Sequence, residues 1–227
     1  MQERRRTNAE RTHATRAALV AAARDLFVRA GYAATSTPQI AAAAHVTRGA
    51  LYHHYADKQD LFRAVAEAEA EAVAREIEER TAADPGTAAP DARAMLVEGA
   101  RAYLDAMGEP GRTRLLLVDA PAVLGPAEAD ALDARHARRT LREGLGAALG
   151  AYPGGGSASH GSGAGDDVAR DLADEERLDA LTLLLSAAFD RAALALDAGA
   201  PPGPVRAAVT ELVDRVCAPT PAPRPRS

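Results

Sequence analysis

The chain has 227 residues, enough for a sizeable apolar core in one large domain or two small ones. No run of about 18 apolar residues occurs, which excludes a transmembrane helix. The polar opening MQERRRTNAERTH is unlike a signal peptide, and the single cysteine, Cys217, allows no intrachain disulfide and fits a reducing cytoplasm. The net charge of −5 is unevenly spread: nine arginines and Lys58 against five acids leave residues 1–63 at +5, so the rest carries −10. That asymmetry suits a nucleic-acid-binding head on an acidic body, or merely two solvated surfaces. Alanine is abundant and alternating Val/Ile/Thr runs are missing, so the expected fold class is all-α.

Taken in order, residues 1–11 carry Arg4-Arg5-Arg6, a solvated tail or a basic arm able to reach a minor groove. The capping-box spacing of Thr7 and Glu10 predicts a first helix from near Asn8. Leu19, Ala22, Ala23, Leu26, Phe27 and Ala30 form its apolar face, and Gly31 ends it. Thr37 reads as the N-cap of a short second helix, with Pro38 at the first helical position and Ile40, Ala41 and Ala44 inside. His45-Val46 is a tight turn. Thr47 caps a third helix, whose Leu51 faces the core while Arg48 and Tyr52, four apart, share the opposite side. Asp57, with Asp60 as its partner, caps a long fourth helix to about Arg80 on Leu61, Phe62, Val65, Val73 and Ile77. That helix starts in the basic head and ends in the acidic half, so it is the natural mechanical link.

Residues 83–90, with Pro85-Gly86 and Pro90, break the chain. A helix over 91–107 carries Met95, Leu96, Gly99, Tyr103 and Met107 on one face. The short apolar stretch 114–125 predicts two helical turns inside the second domain, where Asp119 either caps the next turn or faces a ligand cavity. A helix over 127–150 follows, with Leu132, His136, Leu141, Leu145 and Leu149 on one stripe. His136 is a hydrogen-bonded histidine at the core edge or a ligand contact, and Arg138, Arg139 and Arg142 form a solvated face. Residues 152–167 are a Gly/Ser-rich flexible loop without a P-loop, a GxGxxG or a GxSxG pattern. Residues 174–198 form the most apolar helix, on Leu178, Leu181, Leu184, Leu185, Ala188, Phe189, Ala192 and Leu196. Residues 205–216 form the last. Two such helices need cover from an ordinary core pair or from a second copy in a four-helix dimer seam. The Pro-rich tail 218–227 is expected to be disordered, and Cys217 is a free thiol or approaches its dimer mate.

Two short helices joined by a tight turn form the DNA-reading helix-turn-helix, whose second helix lies in the major groove. Its candidate contacts are Thr47, Arg48, Gly49, Tyr52 and His53. Thr35, Thr37 and Gln39 from the start of the first short helix join them. Arg is the commonest bidentate reader of guanine. Gly49 has no side chain to hold the backbone off the duplex, and Thr, Tyr and His are suitable phosphate donors. Lys58 sits in the first turn of its helix, where a cation is disfavoured by the dipole unless a phosphate is near. No nucleophile motif or metal-ligand spacing appears, since the adjacent His53 and His54 point to different sides of a helix. No enzyme, metal or cofactor is therefore expected.

Residues 35–62, preceded by the helix over 19–31, resemble the N-terminal domain of the TetR (tetracycline repressor) family. The matching residues are Phe27, Gly31-Tyr32, Ile40-Ala41, Ala44, Val46, Gly49, Leu51-Tyr52, His54-Tyr55, Lys58 and Leu61. His45 stands where the family has a turn glycine in a left-handed backbone, and Tyr55 replaces Phe. The resemblance implies a three-helix DNA-binding domain over 1–63 and a helical ligand-binding and dimerisation domain over 64–217. It implies a cytoplasmic homodimer on a palindromic double-stranded operator, released by a small, largely apolar effector. A regulator without a ligand is the alternative. Packing logic offers Met95, Tyr103, Met107, Leu116, His136 and Phe189 as the effector's lining.

Overall fold

The computed structural model describes residues 8–82, 91–150 and 164–218. The arginines at 4–6, the break at 83–90, residues 151–163 of the Gly/Ser loop and the tail from 219 lie outside the described residues. Among the described residues every regular element is helical. The order is α1 (Asn8–Ala34), α2 (Thr37–Ala43), α3 (Arg48–His54), α4 (Lys58–Thr81), α5 (Ala92–Met107) and α6 (Arg112–Arg114). A π-helical turn (Leu115–Asp119) leads into α7 (Ala120–Leu124), then α8 (Pro126–Arg135), α9 (Ala137–Gly150), α10 (Ala164–Asp197) and α11 (Pro202–Val216).

The chain divides into two compact units, Met1–Glu71 with Glu109–Leu132, and Ala72–Gly108 with Asp133–Ser227. This differs from a boundary after residue 63 in two ways. The division falls within α4, and the stretch expected inside the second domain is packed in the first unit. The reasons are visible around Glu69, a nearly buried carboxylate of α4. It accepts from Arg24 Nε at 2.8 Å and from Arg112 Nε at 2.9 Å. Burial alone would raise the Glu69 carboxyl, but the two arginines outweigh it and hold it below the usual range. Next to this triad Gly111 has φ 78°, and a β-carbon there would stand 2.5 Å from Val28 Cγ1. Leu115, Ala120 and Leu132 then join the core of Leu19, Phe27, Ile40, Leu51, Leu61, Phe62 and Val65.

Within this segment Ala120 donates to Leu115 O, five residues back. The proline that follows, Pro121, has no N–H to continue an ordinary ladder, which accounts for the wide turn. Asp119 does not cap α7 with its side chain; it pairs with Arg114 at 3.5 Å.

In the second unit α5 packs on α9 and α11, and α10 packs on α9 and α11. Leu96, Tyr103, Met107, Leu145, Leu185, Phe189, Val209 and Val213 are buried among them. Expected as one helix over 127–150, the chain is interrupted at His136 between α8 and α9. The arginines of α9 are bridges more than a solvated face: Arg138 pairs with Asp133, Arg139 with Glu78 and Glu143, and Arg142 with Glu175 and Asp179. Residues 164–167, expected in the loop, are helical. Cys217 is buried, which pushes its thiol up and keeps it a plain free thiol within the chain.

A polar pair lies inside this bundle. Tyr103 donates to Asp190 Oδ1 at 2.5 Å. Nearby Asp133 accepts from Ser186 at 3.1 Å and from Arg138 at 2.8 Å. Burial first, and then the Asp133 charge, push the Asp190 carboxyl up to about 6, against the opposing pull of Tyr103 and Arg138.

Two predictions follow from this packing. His45 has φ 55°. Val46 N–H bonds to Ala41 O and His45 N–H to Ala42 O, the Schellman closure that glycine favours. His45→Gly should raise stability by up to about 1 kcal/mol and His45→Val should lower it; a glycine variant with a lower denaturation midpoint would refute strain at this turn. The second concerns pH. Because its folded-state value is raised, Asp190 holds a proton that the unfolded chain releases between about pH 4 and 6. Its contribution therefore turns unfavourable as pH rises through that window. Asp190→Asn should gain on the native chain by up to about 2 kcal/mol between pH 4.5 and 7.5 in urea unfolding, and parallel pH profiles would refute it.

Candidate nucleic-acid interface and effector cavity

The first site is built on α2 and α3. The N-cap of α2 is Ser36 rather than Thr37, because Gln39 reaches back and accepts both the Ser36 N–H at 2.8 Å and its hydroxyl at 2.7 Å. Pro38 accordingly sits at the second helical position. The Ser-x-x-Gln spacing was a readable capping signal. Thr47 caps α3, accepting from Ala50 N–H at 3.1 Å. Leu51 is fully buried and roots α3 in the core. Asp57 Oδ1 accepts the Asp60 N–H at the start of α4, while Asp60 bonds Ala56 N–H in return.

What α3 then leaves at the surface is Thr47, Arg48, Gly49, Tyr52 and His53, all exposed. Gln39 is exposed beside them and Thr37 is half-buried. The Tyr52 and Thr37 hydroxyls lie 2.9 Å apart, a strap between α2 and α3. That bond, and Arg48 next to it, lower the Tyr52 phenol from its ordinary value. Both features fix the position of the Tyr52 hydroxyl.

Two expected contacts are turned inward. Thr35 is buried, with its hydroxyl donating to Gly31 O at 2.8 Å, so its side chain does not reach this surface. Lys58 Nζ donates to Tyr32 O at 2.9 Å and to Thr35 O at 3.0 Å, and lies 4.1 Å from the centroid of the Tyr32 ring. The carbonyls at the end of α1 supply the negative partner that the helix dipole of α4 denies a first-turn cation. Lys58 thus ties α4 to the end of α1 and keeps little of its ammonium for a phosphate.

The second site is a cavity of about 270 Å³ in the second unit. Its wall is largely apolar, from Ile77 of α4, Met95, Leu96, Gly99 and Ala100 of α5, Leu141, Gly144 and Ala147 of α9, and Phe189 of α10. A β-carbon at Gly99 would make ordinary contacts with Thr81 Cγ2 at 3.6 Å and Ile77 Cγ2 at 3.8 Å. Of the six residues expected to line an effector, Met95, Tyr103 and Phe189 line this cavity. Met107 is buried elsewhere in the bundle, His136 sits at the α8–α9 junction, and Leu116 packs against the core of the first unit. Thr81, Thr140, Ser186 and the last turn of α4 were not expected; only tertiary packing brings them together. Among the described residues no group of His, Cys, Asp and Glu could hold a metal ion, and no helix is long and apolar enough to cross a membrane.

Comparison with known proteins agrees with this geometry. Residues 19–65 match the family described as bacterial regulatory proteins, tetR family, and residues 93–151 match a tetracyclin repressor-like C-terminal domain. The HTH-type transcriptional repressor BepR of Brucella suis is 43% identical over 61 residues. That match spans 27% of this chain and 29% of the repressor, so it covers less than a third of the curated relative. A TetR-family transcriptional regulator from Pectobacterium atrosepticum superposes with a TM-score of 0.60 at 29% identity, covering 93% of this chain and 95% of that one. Another from Streptomyces coelicolor gives 0.62 at 21% identity, over 90% and 88%. Over residues 19–65 and 93–151 the chain belongs to the tetR family of bacterial regulatory proteins.

Proposed function

We propose that the chain acts in the cytoplasm as a homodimeric repressor, reads a palindromic operator with α3 and leaves it when a small molecule enters the cavity of the second unit. The observation that carries the DNA reading is the exposed row Thr47, Arg48, Gly49, Tyr52 and His53 on a capped helix rooted by Leu51. Arg48 is the base reader, bidentate to guanine. Thr37, Gln39, Thr47, Tyr52 and His53 serve as backbone contacts, and Gly49 lets α3 approach. Lys58 and Thr35 position the pair from behind.

Dimerisation is supported by the apolar residues that one chain leaves uncovered on α10 and α11. Leu184 is 67% exposed, Leu183 52% and Leu212 37%. A second copy would bury them in an isologous four-helix seam. Two copies would set their α3 helices roughly 34–36 Å apart, one turn of DNA.

Release by a ligand is supported by the cavity and by α4. The first turn of this helix is tied to Tyr32 and Thr35 behind the reading pair, and its last turn lines the cavity. A ligand that binds better when the last turn is displaced shifts the population away from the DNA-competent state. The alternative, a regulator with no ligand, is less favoured because a solidly packed second unit would have no such opening.

Selection of binding sites from a random DNA pool tests the reading. Arg48→Ala should lose about 1–3 kcal/mol on the selected site and relax one position in each half-site, while Tyr52→Phe should weaken binding without changing preference. Equal losses for Arg48→Ala on selected and random DNA would show that it touches phosphate alone. Leu184→Glu should convert the native dimer to monomers in sedimentation; an unchanged mass would place the seam elsewhere.

A further inference from the structure

The polar groups in the cavity wall share one property. The Tyr103 hydroxyl donates to Asp190, Ser186 to Asp133, Thr140 to Ala137 O at 2.8 Å and Thr81 to Ile77 O at 2.9 Å. Each hydroxyl has one hydrogen and two lone pairs. With the hydrogen engaged inside the protein, each can offer a ligand acceptor capacity alone. The Tyr103 oxygen is the more basic for donating to a carboxylate.

The charged residues in the wall are Glu78 and Glu143, both acceptors. Arg139 bridges them, with Nη2 at 2.6 Å from Glu78 and Nη1 at 3.1 Å from Glu143. One guanidinium between two carboxylates leaves a net negative charge at the cavity edge. The last turn of α4, Glu78 to Thr81, adds the negative end of a helix dipole. Apolar walls, acceptors without donors and a net negative edge are complementary to a molecule that brings its own donors and a positive charge. The aromatic rings of Tyr103 and Phe189 also accept a cation on their faces.

We propose that the cavity takes an organic cation, an apolar body of about naphthalene size whose protonated amine pairs with the carboxylate oxygens of Glu78 and Glu143 that Arg139 does not hold. The proposal rests on the cavity being the effector site and adds the chemical class of the effector. An anionic or donor-poor molecule would face acceptors it cannot satisfy, and their desolvation would count against it.

The test uses three matched fluorescent probes on the full chain: naphthalene bearing an aminomethyl, a hydroxymethyl or a carboxylate group. Anisotropy titrations are repeated on the Glu78→Gln/Glu143→Gln double variant. The amine should bind at least about tenfold tighter than the alcohol, the carboxylate should be weakest, and the double variant should bring amine and alcohol within about twofold. Unchanged alcohol binding in the double variant shows that the cavity is intact. If the alcohol or the carboxylate matches the amine, the cation preference is overturned while the cavity remains a ligand site. If the preference survives the double variant, the pairing with the two glutamates is overturned. Binding of none of the three would overturn both this proposal and the effector cavity itself.

Discussion

A helix of seven residues has no stability of its own in water. That constraint governs the first unit, because α3 is such a helix and must still present Arg48 and Tyr52 in a fixed direction. The fold holds it at each end and from behind. Thr47 closes its N-terminus and Leu51 is buried beneath it. The edge-on rings of Tyr32 and Phe62 lie 5.3 Å apart, as do those of Phe27 and Phe62, and they anchor the wall behind α2 and α3. Lys58 pins the start of α4 against that wall. The Glu69 triad does the same for the segment Glu109–Leu132, whose neighbours complete the core. Breaking such a triad leaves buried charge without a partner, which is far more costly than losing a surface ion pair.

The first unit was largely legible from the sequence because its signals are local. Helix periodicity, the Thr47 and Asp57 caps and the apolar positions of α1 and α4 all depend on residues within one or two turns. Of the misreadings there, one is local and one is not. Thr37 looked like the cap because Pro38 follows it, whereas the Ser36–Gln39 pair sets the helix one residue earlier. Lys58 read as a phosphate contact because nothing in sequence places it over the end of α1. His45 was legible as a left-handed turn, and its φ of 55° has that sign.

The second unit was legible as helices but not as an arrangement. The membership of Glu109–Leu132 depends on Arg112 finding Glu69, 43 residues away. Periodicity cannot report such a contact. The cavity shows the same limit. Met95, Tyr103 and Phe189 were foreseeable as apolar-face residues. Thr81, Thr140 and Ser186 matter through hydrogens donated elsewhere in the bundle, which only the packed arrangement determines. The first turn of α4 supports the reading pair and its last turn lines the cavity wall.

The measurement that bears most directly on the central claim is a hydroxyl-radical footprint of the purified chain on the DNA upstream of its own gene. The account predicts two short protected half-sites on one face of the duplex, roughly 34–36 Å apart and related by a two-fold axis. Uniform protection that spreads with protein concentration, without half-sites on this DNA or on any fragment selected from a random pool, would contradict it. That outcome would mean that the exposed row on α3 holds phosphate without reading sequence.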